Sequence, residues 1–214
     1  MKGQALKLGK WSVAAGMGLL AAMVVSWAVT AGCAQDKKKG EGKLKVGDPA
    51  PAWSGIIGID DNKHSLADYK KAKLVVLVFT CNHCPIAVAY EDRLVQLQKD
   101  YQDKGVQLVA VNVNNLDADK LDKMKERAKK KGFNFPYLYD ASQKIGRDYA
   151  ATCTPHVFLL DKDRKLAYTG WIDDNMDAKK AKKQDLRGAL DALLAGEKPP
   201  VTVTQQFGCS IKWD

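Results

Sequence analysis

The sequence predicts a single mixed α/β domain, because strand-like and helix-like segments alternate along it without an internal repeat. Leu74–Phe79 is an unbroken apolar run, which is typical of a strand buried on both faces. Pro85–Gln102 has apolar residues at three- to four-residue spacing and predicts an amphipathic helix. Val106–Val113 predicts a second buried strand.

The other elements follow from turn residues and apolar spacing. Two clusters of turn residues, Asp60–Lys63 and Asp161–Arg164, each separate short apolar segments and therefore predict β-hairpins. Three more helices are predicted, a basic one at Asp117–Lys131, a short one at Ala141–Ala150 and one with leucines on a single stripe at Ala178–Leu194. The last segment, Pro199–Asp214, alternates in the manner of a β-strand.

Composition and charge exclude several classes of protein. The chain has 214 residues, of which 46% are hydrophobic and 28% charged, with a formal net charge of +9. These values exclude a disordered chain and a protein that crosses a membrane many times. The lysine-rich segments Lys120–Lys131 and Lys179–Lys183 include or adjoin acidic residues and contain no nucleic-acid-binding motif. We interpret them as solvated helix faces and predict no nucleic-acid partner.

Residues 1–33 have the layout of an export signal or a membrane anchor. A lysine-containing start precedes the uncharged segment Trp11–Gly32. The run Thr30-Ala31-Gly32-Cys33 resembles a bacterial lipoprotein box, in which the cysteine is acylated and becomes the new N-terminus. Lipidation at Cys33, cleavage without lipidation and an uncleaved anchor remain open. All three possibilities predict that the domain is exported to the periplasmic side. Lipidation and an uncleaved anchor would also attach it to the membrane. Residues 34–44 are predicted to be a flexible linker.

The motif Cys81-Asn82-His83-Cys84 follows the predicted strand Leu74–Phe79 and precedes the predicted helix. Two intervening residues allow the two sulfurs to meet across one helical turn. A thiol at a helix N-terminus faces unpaired backbone N–H groups and the positive end of the helix dipole, and both favour the thiolate. The thiolate is the species that attacks a disulfide. The motif therefore indicates redox chemistry.

Together with this motif, the segment Val46-Gly47-Asp48-Pro49-Ala50-Pro51 and the pair Thr154-Pro155 make the chain similar to a known family. It resembles the exported, redoxin-type thiol–disulfide oxidoreductases of the thioredoxin-like and alkyl hydroperoxide reductase–thiol-specific antioxidant superfamily. The resemblance covers Lys45–Leu194. It implies a thioredoxin-like three-layer α/β/α sandwich over residues 45–198, with an N-terminal β-hairpin and a C-terminal β-like tail at 199–214.

The resemblance also implies the roles of individual residues. Cys81 is expected to form a mixed disulfide with a protein substrate and Cys84 to resolve it. Pro155 is expected to be cis, with Thr154 offering its backbone to an extended substrate peptide. The resemblance implies no bound cofactor or metal, but turnover requires a redox partner that the sequence does not identify.

His83 stands immediately before the second cysteine, where the strongly oxidising members of the family have a histidine and thioredoxin has a proline. An imidazole there is predicted to stabilise the Cys81 thiolate and raise the redox potential. The family's buried acid is missing, because its two usual positions hold Val75 and Ala87. Glu91 is a candidate by proximity alone, and we interpret it as a solvated carboxylate.

Cys153 and Cys209 admit three interpretations. A structural disulfide between them would hold the tail across the domain, which suits an oxidising compartment. Two buried free thiols are the second interpretation, and a redox relay through Cys153 is the third. Spacing alone does not establish connectivity.

Three alternative functions remain as hypotheses. A thiol peroxidase is the first, although neither Cys81 nor Cys84 has the upstream proline and threonine of that motif. Copper handling by the cysteine pair with His156 is the second. A non-catalytic binding module that docks through Phe207–Trp213 is the third.

Overall fold

The computed structural model describes residues 44–214. These residues form nine strands, seven of them in a central mixed sheet and two in a separate sheet. The strands are β1 (Ile56–Gly58), β2 (Lys63–His64), β3 (Leu74–Phe79), β4 (Val106–Asn112), β5 (Tyr137–Tyr139), β6 (Cys153–Thr154), β7 (His156–Leu160), β8 (Leu166–Gly170) and β9 (Cys209–Ser210). The order across the large sheet is β2-β1-β5-β4-β3-β7-β8, and β6 pairs with β9 in a separate two-stranded sheet. The predicted N-terminal hairpin is confirmed as the antiparallel pair β1 and β2.

Helices cover both faces of the large sheet, so the predicted α/β/α sandwich is confirmed. They are α1 (Pro85–Tyr101), α2 (Leu121–Lys131), α3 (Lys144–Asp148) and α4 (Asp185–Leu194). Alternate residues of β3 point to opposite faces, as the geometry of a strand requires. Val76 lies in the hydrophobic core shared with α1, α2 and α4. The next residue, Leu77, lies in the second core, which is shared with α3.

Three helices begin later than the sequence predicts, and the predicted helix Ala141–Ala150 spans only Lys144–Asp148. The predicted helix Asp117–Lys131 starts at Leu121, because Asp117–Asp119 forms a separate 3₁₀ turn and Lys120 is extended. The predicted helix Ala178–Leu194 starts at Asp185. The Asp174 carboxylate accepts the backbone N–H groups of residues 182 and 183 at 2.8 and 3.0 Å. Such side-chain bonds to the backbone compete with helix formation.

Glu91 is not the solvated carboxylate that the sequence suggested. Its side chain is buried on α1 and forms two hydrogen bonds with Arg127 of α2, at 2.7 and 2.8 Å. A buried carboxylate must be paired, and removal of one partner of such a pair costs about 3–5 kcal/mol of stability. Glu91 therefore joins two helices and is not assigned to the cysteines.

The C-terminal tail has less strand structure than its alternation predicts. Only Cys209–Ser210 forms a strand, and Val203 makes a single parallel bridge with Thr169 of β8. The predicted signal or anchor at 1–33 and most of the predicted linker at 34–44 lie outside the described residues. Within residues 44–214, no helix is both long enough and apolar enough to cross a membrane.

Candidate active site

The two cysteines of the motif lie between the end of β3 and the first turn of α1. Cys84 is the N-cap residue of α1, and its sulfur accepts the Ala87 N–H at 3.5 Å. Pro85 occupies the first helical position, where no backbone N–H is needed. Cys81 and Cys84 are 2% and 0% exposed. The sequence correctly predicts this arrangement of strand, motif and helix.

Thr154 and Pro155 lie directly against the two cysteines. The peptide bond between them is cis, as the resemblance implies. The Thr154 hydroxyl is 3.1 Å from the Cys81 sulfur, and the Cys84 thiol donates to the Thr154 carbonyl oxygen at 3.3 Å. The predicted proximity of this loop to the motif is therefore confirmed.

The two thiols share a proton, which separates their ionisation. A hydrogen bond from Cys81 lowers the pKa of Cys84 to about 4, against burial, with help from Cys209 and the Ala87 N–H. The same bond raises the pKa of Cys81, and burial and the Asp119 charge raise it further. The pair therefore loses its first proton easily and holds its second strongly. One thiolate is available near neutral pH.

A buried carboxylate lies beside the motif, and sequence reasoning missed it. Asp119 is fully buried at the end of the 3₁₀ turn that follows β4. One of its carboxylate oxygens accepts the Asn82 N–H at 2.7 Å and the Asn112 side-chain amide at 3.2 Å. The other is hydrogen-bonded to His83 Nδ1. Asp119 is thus a buried acid beside the motif in a chain whose positions 75 and 87 hold none.

His83 contacts this carboxylate through one of its ring nitrogens. Its Nε2 is buried and has no hydrogen-bond partner among residues 44–214. Cys81, His83 and Asp119 each have one potential ligand atom within 4.8 Å of the others. A thiolate, an imidazole and a carboxylate suit zinc or copper.

His156 is not part of this group, contrary to the copper hypothesis. Its Nε2 lies 3.2 Å from the Thr169 hydroxyl, and its Nδ1 accepts the Thr152 N–H at 3.4 Å. His156 is a buried residue of β7 that bonds to neighbouring segments. Among the described residues, the candidate metal ligands therefore lie around the CxxC motif alone.

The tail occupies the backbone edge that was predicted to receive a substrate peptide. Strand β9 pairs antiparallel with β6, with Thr154 opposite Cys209 and Cys153 opposite Ser210. The preceding residue, Gly208, lies so close that a Cβ atom there would be 2.2 Å from the Thr154 carbonyl oxygen. In this conformation the Thr154 edge that was expected to receive a peptide is occupied by the chain's own β9. Residues 209–210 of the docking segment Phe207–Trp213 are paired with that edge.

Cys153 and Cys209 are free thiols, so the disulfide that was one of the three interpretations is not formed in this structure. Cys209 packs against Cys84, and its interaction with Cys84 raises the pKa of Cys209. Cys153 donates to the Pro155 carbonyl oxygen at 3.7 Å. Burial raises the pKa of Cys153 to about 11, which keeps it a neutral thiol and argues against a relay through it.

Comparison with known proteins is consistent with this geometry. The Redoxin family model matches residues 45–187. The chain is 33% identical over 128 residues to the thiol–disulfide oxidoreductase ResA of Bacillus thuringiensis strain Al Hakam, a match that covers 58% of this chain and 68% of that protein. A ResA protein of Geobacillus thermodenitrificans is 31% identical over 126 residues.

Two solved structures are similar over most of the chain. A hypothetical protein from Sinorhizobium meliloti 1021 is 33% identical, with a TM-score of 0.76 over 81% of this chain and 97% of that one. An uncharacterized conserved protein from Geobacillus kaustophilus is 37% identical, with a TM-score of 0.74 over 80% of this chain and 93% of that one.

The fold and these similarities define a thioredoxin-fold oxidoreductase. The chain belongs to the Redoxin family.

We expect the reduced protein to hold one thiolate of the pair at about pH 6, measured by ultraviolet thiolate absorbance. In Cys81→Ala the shared hydrogen bond is lost, so the pKa of Cys84 should rise from about 4 towards its ordinary value of 9.0. The Cys84 thiolate should also stabilise the folded, reduced protein, fully so above pH 9.0, with the effect lost as the pH falls through about 4.

The matched control for this titration is Cys153→Ser, which removes a thiol that stays neutral. It should leave the absorbance curve below about pH 8 unchanged. An unchanged curve in Cys81→Ala would contradict the shared proton.

Proposed function

We propose that this protein catalyses thiol–disulfide exchange with protein substrates through Cys81 and Cys84. The observation that carries the proposal is a pair of thiols at the N-terminus of α1, each within hydrogen-bond distance of Thr154 beside the cis-proline. The similarity to proteins named thiol–disulfide oxidoreductase supports the same chemistry.

Cys81 is the cysteine proposed to meet the substrate. Cys84 is enclosed by the Thr154 carbonyl, the Ala87 N–H and Cys209, whereas Cys81 stands before the helix, next to the partly exposed Asn82. After its proton passes to Cys84, the Cys81 thiolate attacks a substrate disulfide. A mixed disulfide forms, and one substrate sulfur leaves as a thiolate.

The second step uses the thiol that remains. Cys84 loses its proton and attacks the Cys81 sulfur of the mixed disulfide, which releases the second substrate thiolate. The Cys81–Cys84 pair is then oxidised and the substrate reduced. The reverse sequence oxidises a substrate, and the potential of the pair relative to its redox partner decides the direction.

The proposed substrate contact is the backbone of Thr154 and Pro155. An extended peptide would pair with β6 as β9 does, so a substrate that uses this edge must first displace residues 208–210. The fixed path of the backbone beside the cysteines supports this contact. The position of the tail therefore also determines whether a substrate peptide can reach the Thr154 edge.

We expect Cys84→Ser to accumulate mixed disulfides with substrate proteins, because the thiol that resolves them is gone. Cells that express this variant should yield adducts that disappear on reduction, visible by non-reducing electrophoresis and identified by mass spectrometry. Cys81→Ser should yield none of these adducts and should lack exchange activity. If Cys84→Ser and Cys81→Ser give the same adducts, Cys81 is not the attacking residue.

His83 is proposed to tune the pair through Asp119. The carboxylate disfavours a thiolate at Cys81, and it is a cause of the raised pKa of Cys81. His83 Nδ1 is hydrogen-bonded to that carboxylate and so weakens its effect on Cys81. In this view the histidine stabilises the reduced pair by screening the charge of a buried neighbour.

We expect His83→Ala to lower the redox potential by about 30 mV, which corresponds to about 1.4 kcal/mol for a two-electron couple. The reason is that an unpaired Asp119 charge then destabilises the Cys81 thiolate. Adding Asp119→Asn to His83→Ala should return the redox potential most of the way to the wild-type value, as measured by titration against glutathione buffers. A double variant with the same potential as His83→Ala would exclude coupling through Asp119.

We also propose that the protein is exported and works on the periplasmic side, held to the membrane through residues 1–33. The basic start and the uncharged segment support export, and the run ending in Cys33 supports lipidation. In this division residues 34–44 are a linker, 45–198 the catalytic domain and 199–214 the tail. The family match over 45–187 falls within the proposed domain.

We expect mass analysis of the membrane fraction to find a mature N-terminus at an acylated Cys33. The Cys33→Ser variant should instead keep the unprocessed mass. An intact Met1 in the wild-type protein would contradict both cleaved forms and leave the uncleaved anchor.

A further inference from the structure

Cys209 lies in the active site although it belongs to neither end of the CxxC motif. Its strand pairs with β6 directly opposite Thr154, and its side chain packs on the cluster formed by Cys81, Cys84 and Ala87. Cys209 helps to lower the pKa of the Cys84 thiol, and Cys84 in turn raises the pKa of Cys209. Three sulfurs therefore lie together beside the cis-proline.

The tail is held on both sides of Cys209, so this contact is built into the fold. Before it, Gln206 donates to the Thr152 hydroxyl at 3.1 Å. After it, Ile211 is buried in the second hydrophobic core and its N–H donates to the Thr152 carbonyl at 3.2 Å.

The last residues of the chain add further anchors. Gln143 donates to the Lys212 carbonyl at 2.8 Å and accepts the Asp214 N–H at 2.9 Å. The Arg147 guanidinium stacks 4.7 Å from the ring centroid of Trp213. With both flanks fixed, Cys209 has a high effective concentration at Cys84.

We propose that Cys209 is a third redox-active cysteine, which exchanges with the oxidised CxxC pair to form a Cys84–Cys209 disulfide. The proposal rests on the proposed function, since it needs a Cys81–Cys84 disulfide. The Cys209 thiolate attacks the Cys84 sulfur, the Cys81–Cys84 bond breaks, and Cys81 leaves as a thiolate. Cys209 is oxidised and Cys81 reduced, and the proton that Cys209 gave up is taken by Cys81. No external oxidant or reductant is consumed.

Oxidation of the pair removes the largest of the causes that keep Cys209 protonated. In the reduced protein, the hydrogen bond to Cys84 is the largest cause that raises the pKa of Cys209. Once Cys84 is in a disulfide, it no longer bears a charge and this cause disappears. The Ile86 N–H and the Lys212 charge, which lower the pKa of Cys209, do not depend on the oxidation state of Cys84. Burial, the second cause that raises this pKa, remains, and oxidation of the pair therefore increases the thiolate fraction of Cys209 by removing the first cause alone.

The Cys84–Cys209 form would close the active site. A covalent bond then fixes β9 on the Thr154 edge, which keeps a substrate peptide off it. Cys84 is also unavailable to resolve a mixed disulfide at Cys81. The protein would store its oxidising equivalent in this form until the reverse exchange frees the tail.

The experiment is disulfide mapping of the full chain, in mild detergent, after equilibration with glutathione buffers and trapping of free thiols. Trypsin leaves Cys81 and Cys84 on one peptide, with Cys209, Cys153 and Cys33 each on another. A Cys84–Cys209 bond therefore appears as a cross-linked pair of peptides. In Cys81→Ser we expect this cross-link to exceed the glutathione adduct of Cys84 by about tenfold, because the tail holds Cys209 in place.

Cys153→Ser, combined with Cys81→Ser, is the matched control and should give the same cross-link. Cys209→Ser should remove the cross-link and still form the Cys81–Cys84 disulfide. A Cys81→Ser protein whose Cys84 carries only glutathione, with Cys209 free, would overturn the proposal while leaving the proposed function intact. If the wild-type protein forms no Cys81–Cys84 disulfide at any ratio of oxidised to reduced glutathione, the proposed function itself fails.

Mapping of the oxidised wild-type protein provides a second measurement, which does not depend on the folding of a variant. We expect both the Cys81–Cys84 bond and the Cys84–Cys209 cross-link there, with fragmentation assigning the latter to Cys84. Complete absence of the cross-link across the titration would overturn the proposal.

Discussion

The burial of β3 is the constraint on which the rest of the structure depends. All six of its residues are buried, and it pairs with β4 on one side and β7 on the other. The antiparallel register ends with Phe79 opposite His156. Continued for two more residues, that register brings Cys81 to Thr154, which is the contact observed. A register shift of one residue would turn every β3 side chain to the wrong core and separate these two groups.

The parallel pairing of β3 with β4, on its other side, places Asp119 beside the motif. Thr80 donates to the Val111 carbonyl at 2.9 Å, so the chain that leaves β4 passes next to the motif. The 3₁₀ turn that follows presents Asp119 to Asn82 and His83. A buried carboxylate needs several donors, and Asn112 supplies another. The charges of the site are therefore balanced by residues that are far apart in sequence.

The sequence was sufficient for those parts of the site that are local. The order of buried strand, CxxC and helix predicts the position of Cys84 as the N-cap, and the resemblance implies the cis-proline. Asp119 escaped prediction because Asp117, two residues earlier, is exposed in the same turn, and no local pattern separates the two. Glu91 was misjudged because its partner, Arg127, lies on another helix. The interpretation of Cys209 stayed open because two residues of strand carry no signal of what they pair with.

The close approach of Gly208 to Thr154 has a consequence for selectivity. A Cβ atom at this position would lie 2.2 Å from the Thr154 carbonyl oxygen and 3.0 Å from the Pro155 nitrogen, both of which are backbone atoms. Neither can move aside as the end of a flexible side chain can. On the proposed substrate path, a polypeptide that takes the place of the tail needs glycine at the position of Gly208, and other sequences need a different path.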